Sequence, residues 1–145
     1  MGLKDLYSAE LTATLSRFVE GSFTSQPTRI IQELPSNCYI FQNIIGEYEA
    51  ITAIYGSPDA ILKFAVKYSQ MELEEGSEVI DEIAADFLNM QNGLFVVKLS
   101  NEEKKECSLS PPTFHPEFQP SLDGKIINII PIDFNFGSIC FVFAE

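Results

Sequence analysis

Residues 77–99, SEVIDEIAADFLNMQNGLFVVKL, decide how the rest of the chain is arranged. Ser77 suits a helix N-cap, Glu78 falls in the first turn, and no proline follows until Pro111. Ile80, Ile83, Ala84, Phe87, Met90 and Leu94 recur every three or four residues, which predicts a helix with one broad apolar face. At about 100° per residue, Glu82, Asp86, Asn89 and Gly93 fall within roughly 60° of one another on the other side. A carboxylate, an amide one turn on and a missing side chain therefore share one stripe. The apolar face obliges the helix to pack; the stripe is left for solvent or for a visitor.

The surrounding chain has 145 residues, 46% of them hydrophobic and twelve of them Phe, which supports one folded domain over 1–145 with a real core. A formal net charge of −12 argues against nucleic acid, whose phosphates demand Lys and Arg, and against an anionic membrane surface. Acidic residues interrupt the N-terminus where a signal peptide needs an apolar core. Leu6 breaks the myristoylation pattern that Gly2 would begin, and no window is long enough for a membrane span. Cys38, Cys107 and Cys140 are odd in number and far apart, so they read as reduced thiols of a cytoplasmic protein.

Residues 3–21 have a helical period through Leu3, Leu6, Leu11, Leu15, Phe18 and Val19, with Gly21 as the stop. Strands are expected over 28–34, 38–45 and 48–55, the last two joined as a hairpin at Gly46-Glu47. Ser57-Pro58 opens a second helix over 59–68. Between Glu72 and Asp86 lie seven acidic residues and no Lys or Arg, which fits a solvated linker leading into a helix N-terminus. After Leu99, NEEKKE reads as a charged turn and 107–109 as a short strand. Residues 111–124, with four prolines, should form an extended loop. Strands follow over 125–134 and 138–144. Pro131 suggests that the former is an edge or carries a bulge, and the apolar run Ile139–Phe143 suggests that the latter is central. A faint repeat matches Thr14, Arg17, Gly21 and Phe23 with Asp86, Asn89, Gly93 and Phe95.

Several chemistries lack their residues. His115 stands alone and cannot build a His-rich metal site, and no nucleophile elbow, Walker loop or GxGxxG is present. That leaves Asp86-x-x-Asn89. Side chains three apart on a helix have Cβ atoms about 5–6 Å from each other and can address one partner group. The carboxylate can pair with a lysine. The neutral amide can hold a water without repelling a phosphoryl group, which suits hydrolysis of an acyl phosphate held in another protein.

Asp86-Phe-Leu-Asn89-Met90-Gln-Asn-Gly93 resembles the E-x-x-N-(M/I)-x-x-G helix of the CheC/CheX chemotaxis phosphatases, which are related to FliY. Leu109-Ser-Pro-Pro-Thr113 is similar to the proline-containing strand start that follows that helix in the family. The resemblance covers most of the chain in its order of elements, and a single surviving motif makes it more CheX-like than CheC-like. It implies an α+β, CheC-like fold with two related halves and a mostly antiparallel sheet carrying the motif helices on one side. It implies a phosphatase of a phosphorylated CheY-like response regulator, with Asp86 docking the partner's lysine and Asn89 positioning the attacking water. Mg²⁺ would sit on the regulator, with no cofactor of this chain's own, and a homodimer through a sheet edge is within the family's habits. Asp86 departs from the family's glutamate by one methylene, about 1.5 Å of reach. A non-catalytic binding module or a signalling-complex subunit of the same fold is the alternative.

Overall fold

The computed structural model describes residues 2–145. The described residues form helices α1 (Leu3–Phe18), α2 (Pro58–Ser69) and α3 (Val79–Glu103) and strands β1 (Phe23–Ser25), β2 (Arg29–Ile31), β3 (Ile40–Gly46), β4 (Ala50–Gly56), β5 (Cys107–Leu109), β6 (Ile127–Phe134) and β7 (Gly137–Ala144). They make one seven-stranded sheet of order β1-β6-β7-β4-β3-β5, with β2 also on β6 and every pairing antiparallel. β7 is central, as its apolar run predicts, because both of its faces are covered. Ile139, Phe141 and Phe143 join the core under the helices; Val142 and Ala144 join a second cluster behind.

That strand order reads the same from both ends. The hairpins β3–β4 and β6–β7 lie back to back through β4 and β7. Each accepts the short strand that follows the other half's helix: β5, after α3, joins β3, while β1 and β2, after α1, join β6. The fold is α+β with two related halves, and α2 is the element without a counterpart. The residue-level repeat does not survive. Gly21 lies beyond the end of α1 at φ 103°, whereas Gly93 is inside a continuous helix. Thr14 is buried and bonds back to the Glu10 carbonyl, whereas Asp86 is exposed.

All three helices share one face of the sheet. Phe87 of α3 meets Phe64 of α2 edge-on at 5.1 Å and Phe141 of β7 at 5.9 Å. The proline-rich segment covers the reverse face, where Leu122 packs on the second cluster and Thr113 bridges to Phe41. No helix among the described residues is long and apolar enough to cross a membrane.

Several boundaries differ from those expected. α3 starts at Val79 rather than directly after Ser77, although the Ser77 hydroxyl accepts the Val79 N–H at 3.3 Å. It runs on through residues 100–103, because buried Leu99 anchors its last turns and no breaker follows before Lys104 takes a left-handed conformation. Strand 28–34 shortens to β2, and β1 had no sequence signal. β6 is not an edge and has no bulge at Pro131. That residue falls in the gap between β1, paired at 132–134, and β2, paired at 127–129, so its missing N–H removes nothing from the ladder. Both sheet edges instead end in three-residue strands.

Candidate functional site

The stripe on α3 is open. Glu82, Asp86 and Asn89 are exposed and Gly93 is half-exposed, while Phe87, Leu88, Asn92 and Phe95 behind them are buried. At either end of the same stripe stand Val79, 41% exposed, and Val97, 57% exposed.

Asp86 is held from the side by α2. Ser57 caps that helix by accepting the Ala60 N–H, with Pro58 at the first helical position. The last turn of α2 then carries Tyr68 across to α3. Its ring packs edge-on against Phe87 at 5.2 Å, and its hydroxyl donates to Asp86 Oδ2 at 2.9 Å. Burial, and then the hydrogen bond and charge of Asp86, push the Tyr68 phenol up, so it remains a protonated donor. One carboxylate oxygen of Asp86 is thereby engaged, which turns the group without covering it.

Asn89 is held from beneath by the sheet. Its Oδ1 accepts a hydrogen bond from Gln42 Nε2 at 2.6 Å, and that nitrogen also donates to the Ser110 carbonyl at 2.9 Å. Gln42 is 1% exposed and points from β3 toward the helices, in phase with Ile40 and Ile44. Behind it the polar chain continues inward. Asn92 Nδ2 donates to Gln42 Oε1 at 2.9 Å and to Thr52 Oγ1 at 2.8 Å. The Thr52 hydroxyl donates to the Gln42 carbonyl at 2.9 Å, and the Tyr7 hydroxyl donates to Asn92 Oδ1 at 2.7 Å. One connected network therefore links α1, both strands of the β3–β4 hairpin and α3 to the exposed amide of Asn89.

Gly93 completes the stripe. A Cβ built there meets nothing within 4 Å, and its φ is not positive, so nothing in this chain requires a glycine. A mid-helix glycine costs about 0.5–1 kcal/mol relative to alanine. Gly93→Ala is therefore expected to raise Tm by roughly 1.5–3 °C in a thermal melt. An unchanged or lower Tm would mean that the glycine serves the fold after all. What the gap can serve instead is close approach of another molecule to the backbone beside Asn89.

The two residues expected to form the site thus share one open face. Tyr68, Gln42, Asn92, Thr52 and Tyr7 were not anticipated. A signal for three of them existed: Gln42 and Thr52 fall on the inward phase of their strands, and Asn92, three residues after Asn89, falls on the packed side of α3, all at buried positions where an apolar residue is the norm. A separate apolar cavity of about 260 Å³ opens at the start of α3, beside Tyr39, Ile61, Leu62 and Asp81, and neither Asp86 nor Asn89 lines it. Among the described residues no group of three or more His, Cys, Asp or Glu is placed to hold a metal.

No family model matches the chain, and no curated protein matches it significantly. Solved structures do. A CheC-like superfamily protein from Shewanella sp. PV-4 superposes with a TM-score of 0.79 at 14% identity, over 99% of this chain and 98% of that one. CheX from Borrelia burgdorferi, solved in a complex with CheY, BeF3 and Mg²⁺, gives 0.82 at 14% identity, covering 99% and 97%. FliY from Thermotoga maritima gives 0.62 at 15% identity, covering 96% and 84%. The protein has the fold of the CheC-like and CheX chemotaxis proteins.

Proposed function

We propose that this protein is a phosphatase that hydrolyses the phospho-aspartate of a CheY-like response regulator. The observation that carries the proposal is the exposure of Asp86 and Asn89 side by side on α3, each fixed by a hydrogen bond from another element. A solved structure of this fold in which CheX is bound with CheY, BeF3 and Mg²⁺ supports the choice of partner. Asp86 pairs with a lysine at the regulator's phosphorylation site. Asn89 holds a water in line with the phosphorus. The water oxygen forms a bond to phosphorus as the bond from phosphorus to the aspartyl oxygen breaks, giving a free aspartate, inorganic phosphate and a proton. Little covalent chemistry is asked of this chain, because in-line positioning is most of the task. Mg²⁺ belongs to the regulator's own site, and the chain brings no cofactor. A homodimer would join short edge strands and leave the α3 stripe free.

One feature favours a non-catalytic docking module of the same fold instead. The acid is an aspartate, a methylene shorter than glutamate, and Tyr68 already engages one of its oxygens. The decay of a phosphorylated CheY-like regulator, followed with and without this protein, separates the two. A phosphatase accelerates decay, and Asp86→Ala raises the half-saturating regulator concentration about tenfold while the rate at saturation largely survives. Binding without acceleration establishes the module. No binding at all ends both proposals.

A further inference from the structure

We propose that Gln42 is a positioning residue that fixes which end of the Asn89 amide faces outward, making Asn89 a hydrogen-bond donor to the group it receives. The inference rests on the phosphatase assignment for its consequence and on the buried network for its geometry. An amide can be turned end for end, so its direction has to come from partners that cannot change role. Here two backbone carbonyls supply that constraint, since a carbonyl only accepts. The Ser110 carbonyl obliges the near end of the Gln42 side chain to be its NH₂. The same nitrogen faces Asn89, so the Asn89 atom toward it must be the oxygen.

The far end of the network imposes the same sense. The Gln42 carbonyl takes the Thr52 proton, which leaves the Thr52 oxygen to accept from Asn92. Asn92 must then present its NH₂ to Thr52 and to Gln42 Oε1, and its oxygen to Tyr7. Burial pushes the Tyr7 phenol well above its ordinary value, so it is a protonated donor, as this arrangement needs. Turning Gln42 or Asn92 would set like groups against each other in a dry interior, and turning Asn89 alone would set its NH₂ against that of Gln42. The chain of constraints ends at the surface, with Asn89 Oδ1 drawn inward and Nδ2 without a partner among the described residues.

The site therefore offers a donor at Asn89 beside an acceptor at Asp86. For an attacking water, an N–H bond to one lone pair leaves the second free to aim at phosphorus. An amide oxygen in that place would instead accept one of the water's protons.

The test uses isotope-labelled full-length protein and needs no regulator for its first arm. In the native protein the Gln42 side-chain amide protons are expected to exchange with solvent at least a hundredfold more slowly than those of an exposed glutamine. Asn89 Nδ2 is expected to be ordered by ¹⁵N relaxation while its own protons, facing outward, exchange at a solvent-exposed rate. Protected Asn89 Nδ2 protons would mean that the nitrogen points inward and would overturn the inference. In Gln42→Leu, Asn89 Nδ2 becomes as mobile as a free surface amide. The saturating rate of regulator dephosphorylation then falls on the order of tenfold at unchanged half-saturation. A native Gln42 amide that exchanges freely, or a folded Gln42→Leu with Asn89 still ordered and kcat intact, overturns the inference. Protected Gln42 protons, an ordered Asn89 and freely exchanging Asn89 Nδ2 protons in a native protein that does not accelerate dephosphorylation uphold the amide direction and remove the phosphatase assignment. The two failures are therefore told apart, and the native exchange measurement decides the lock even where Gln42→Leu does not fold.

Discussion

Asn89→Ala is expected to lower the saturating rate at which this protein dephosphorylates a CheY-like regulator on the order of a hundredfold, with half-saturation changed by no more than about twofold. The size follows from the role. An amide that orients the nucleophile acts in the transition state, and removing one such preorganised donor from a catalytic site has consequences of that order. Docking is left to Asp86, to the gap at Gly93 and to the apolar ends of the stripe, none of which the substitution touches. The fold should be indifferent. Asn89 is exposed, alanine is the better helix former by a few tenths of a kcal/mol, and water can replace it as an acceptor for Gln42. Thermal melts and binding of the unphosphorylated regulator therefore control for damage. A variant that melts like the native protein, binds like it and still accelerates decay would remove Asn89 from the chemistry.

Much of this was legible in the sequence because the deciding patterns are local. The helix period through Ile80, Ala84 and Phe87, the polar stripe and the Ser57-Pro58 start each depend on residues within a turn or two of one another. The buried face, however, runs on through Leu88, Phe95 and Leu99 and leaves Ile83, Met90 and Leu94 part-exposed beside the stripe. The centrality of β7 was legible for a similar reason: an unbroken apolar run has no solvent face to spare. What escaped was set by distant pairing. Pro131 looked like an edge marker, but the proline rule forbids only a needed N–H, and which N–H is needed depends on where β1 ends and β2 begins on the far flank of β6. β1 and β2 are three residues each and owe their existence to β6 rather than to their own composition. The matching of Gly21 with Gly93 failed because a glycine past a helix end and a glycine within a helix answer different needs.

The candidate site divides along the same line. Asp86 and Asn89 stand one turn apart on one element, so their shared exposure follows from helix geometry. Their supports come from α2, β3, β4 and α1, at sequence separations of 18 to 85 residues for the hydrogen bonds concerned. Sequence does mark such residues, but only as polar side chains where the period calls for apolar ones. Their partners emerge only with the packing.

Asn92→Leu isolates that buried support, and it is expected to be the most destabilising of the substitutions considered. Leucine keeps the branched, four-heavy-atom shape of the asparagine side chain but its methyls are bulkier, so no cavity is made; what disappears is the pairing, and the tighter packing adds to the loss. The Tyr7 hydroxyl, Gln42 Oε1 and Thr52 Oγ1 all lose a partner at positions of 0–1% exposure. Each orphaned group costs about 1–3 kcal/mol, partly offset by the apolar area that leucine buries. A further offset is at hand. The neighbouring Gln91 is buried with neither amide atom partnered, and it lies near enough to act on the Tyr7 hydroxyl, so it can take over part of that bond. The net loss should be about 2–4 kcal/mol, a large share of the 5–15 kcal/mol typical of a domain, and should lower Tm by roughly 6–12 °C. Gln42 keeps its bond to the Ser110 carbonyl in this variant, so Asn89 keeps its direction, and dephosphorylation below the melt should suffer less than in Gln42→Leu. Stability and catalysis then separate along one network: the inner amide carries the fold, and the outer pair carries the geometry of the site. A Tm within about 2 °C of native, or a kcat lost as completely as in Asn89→Ala, would show that the network does not divide that way.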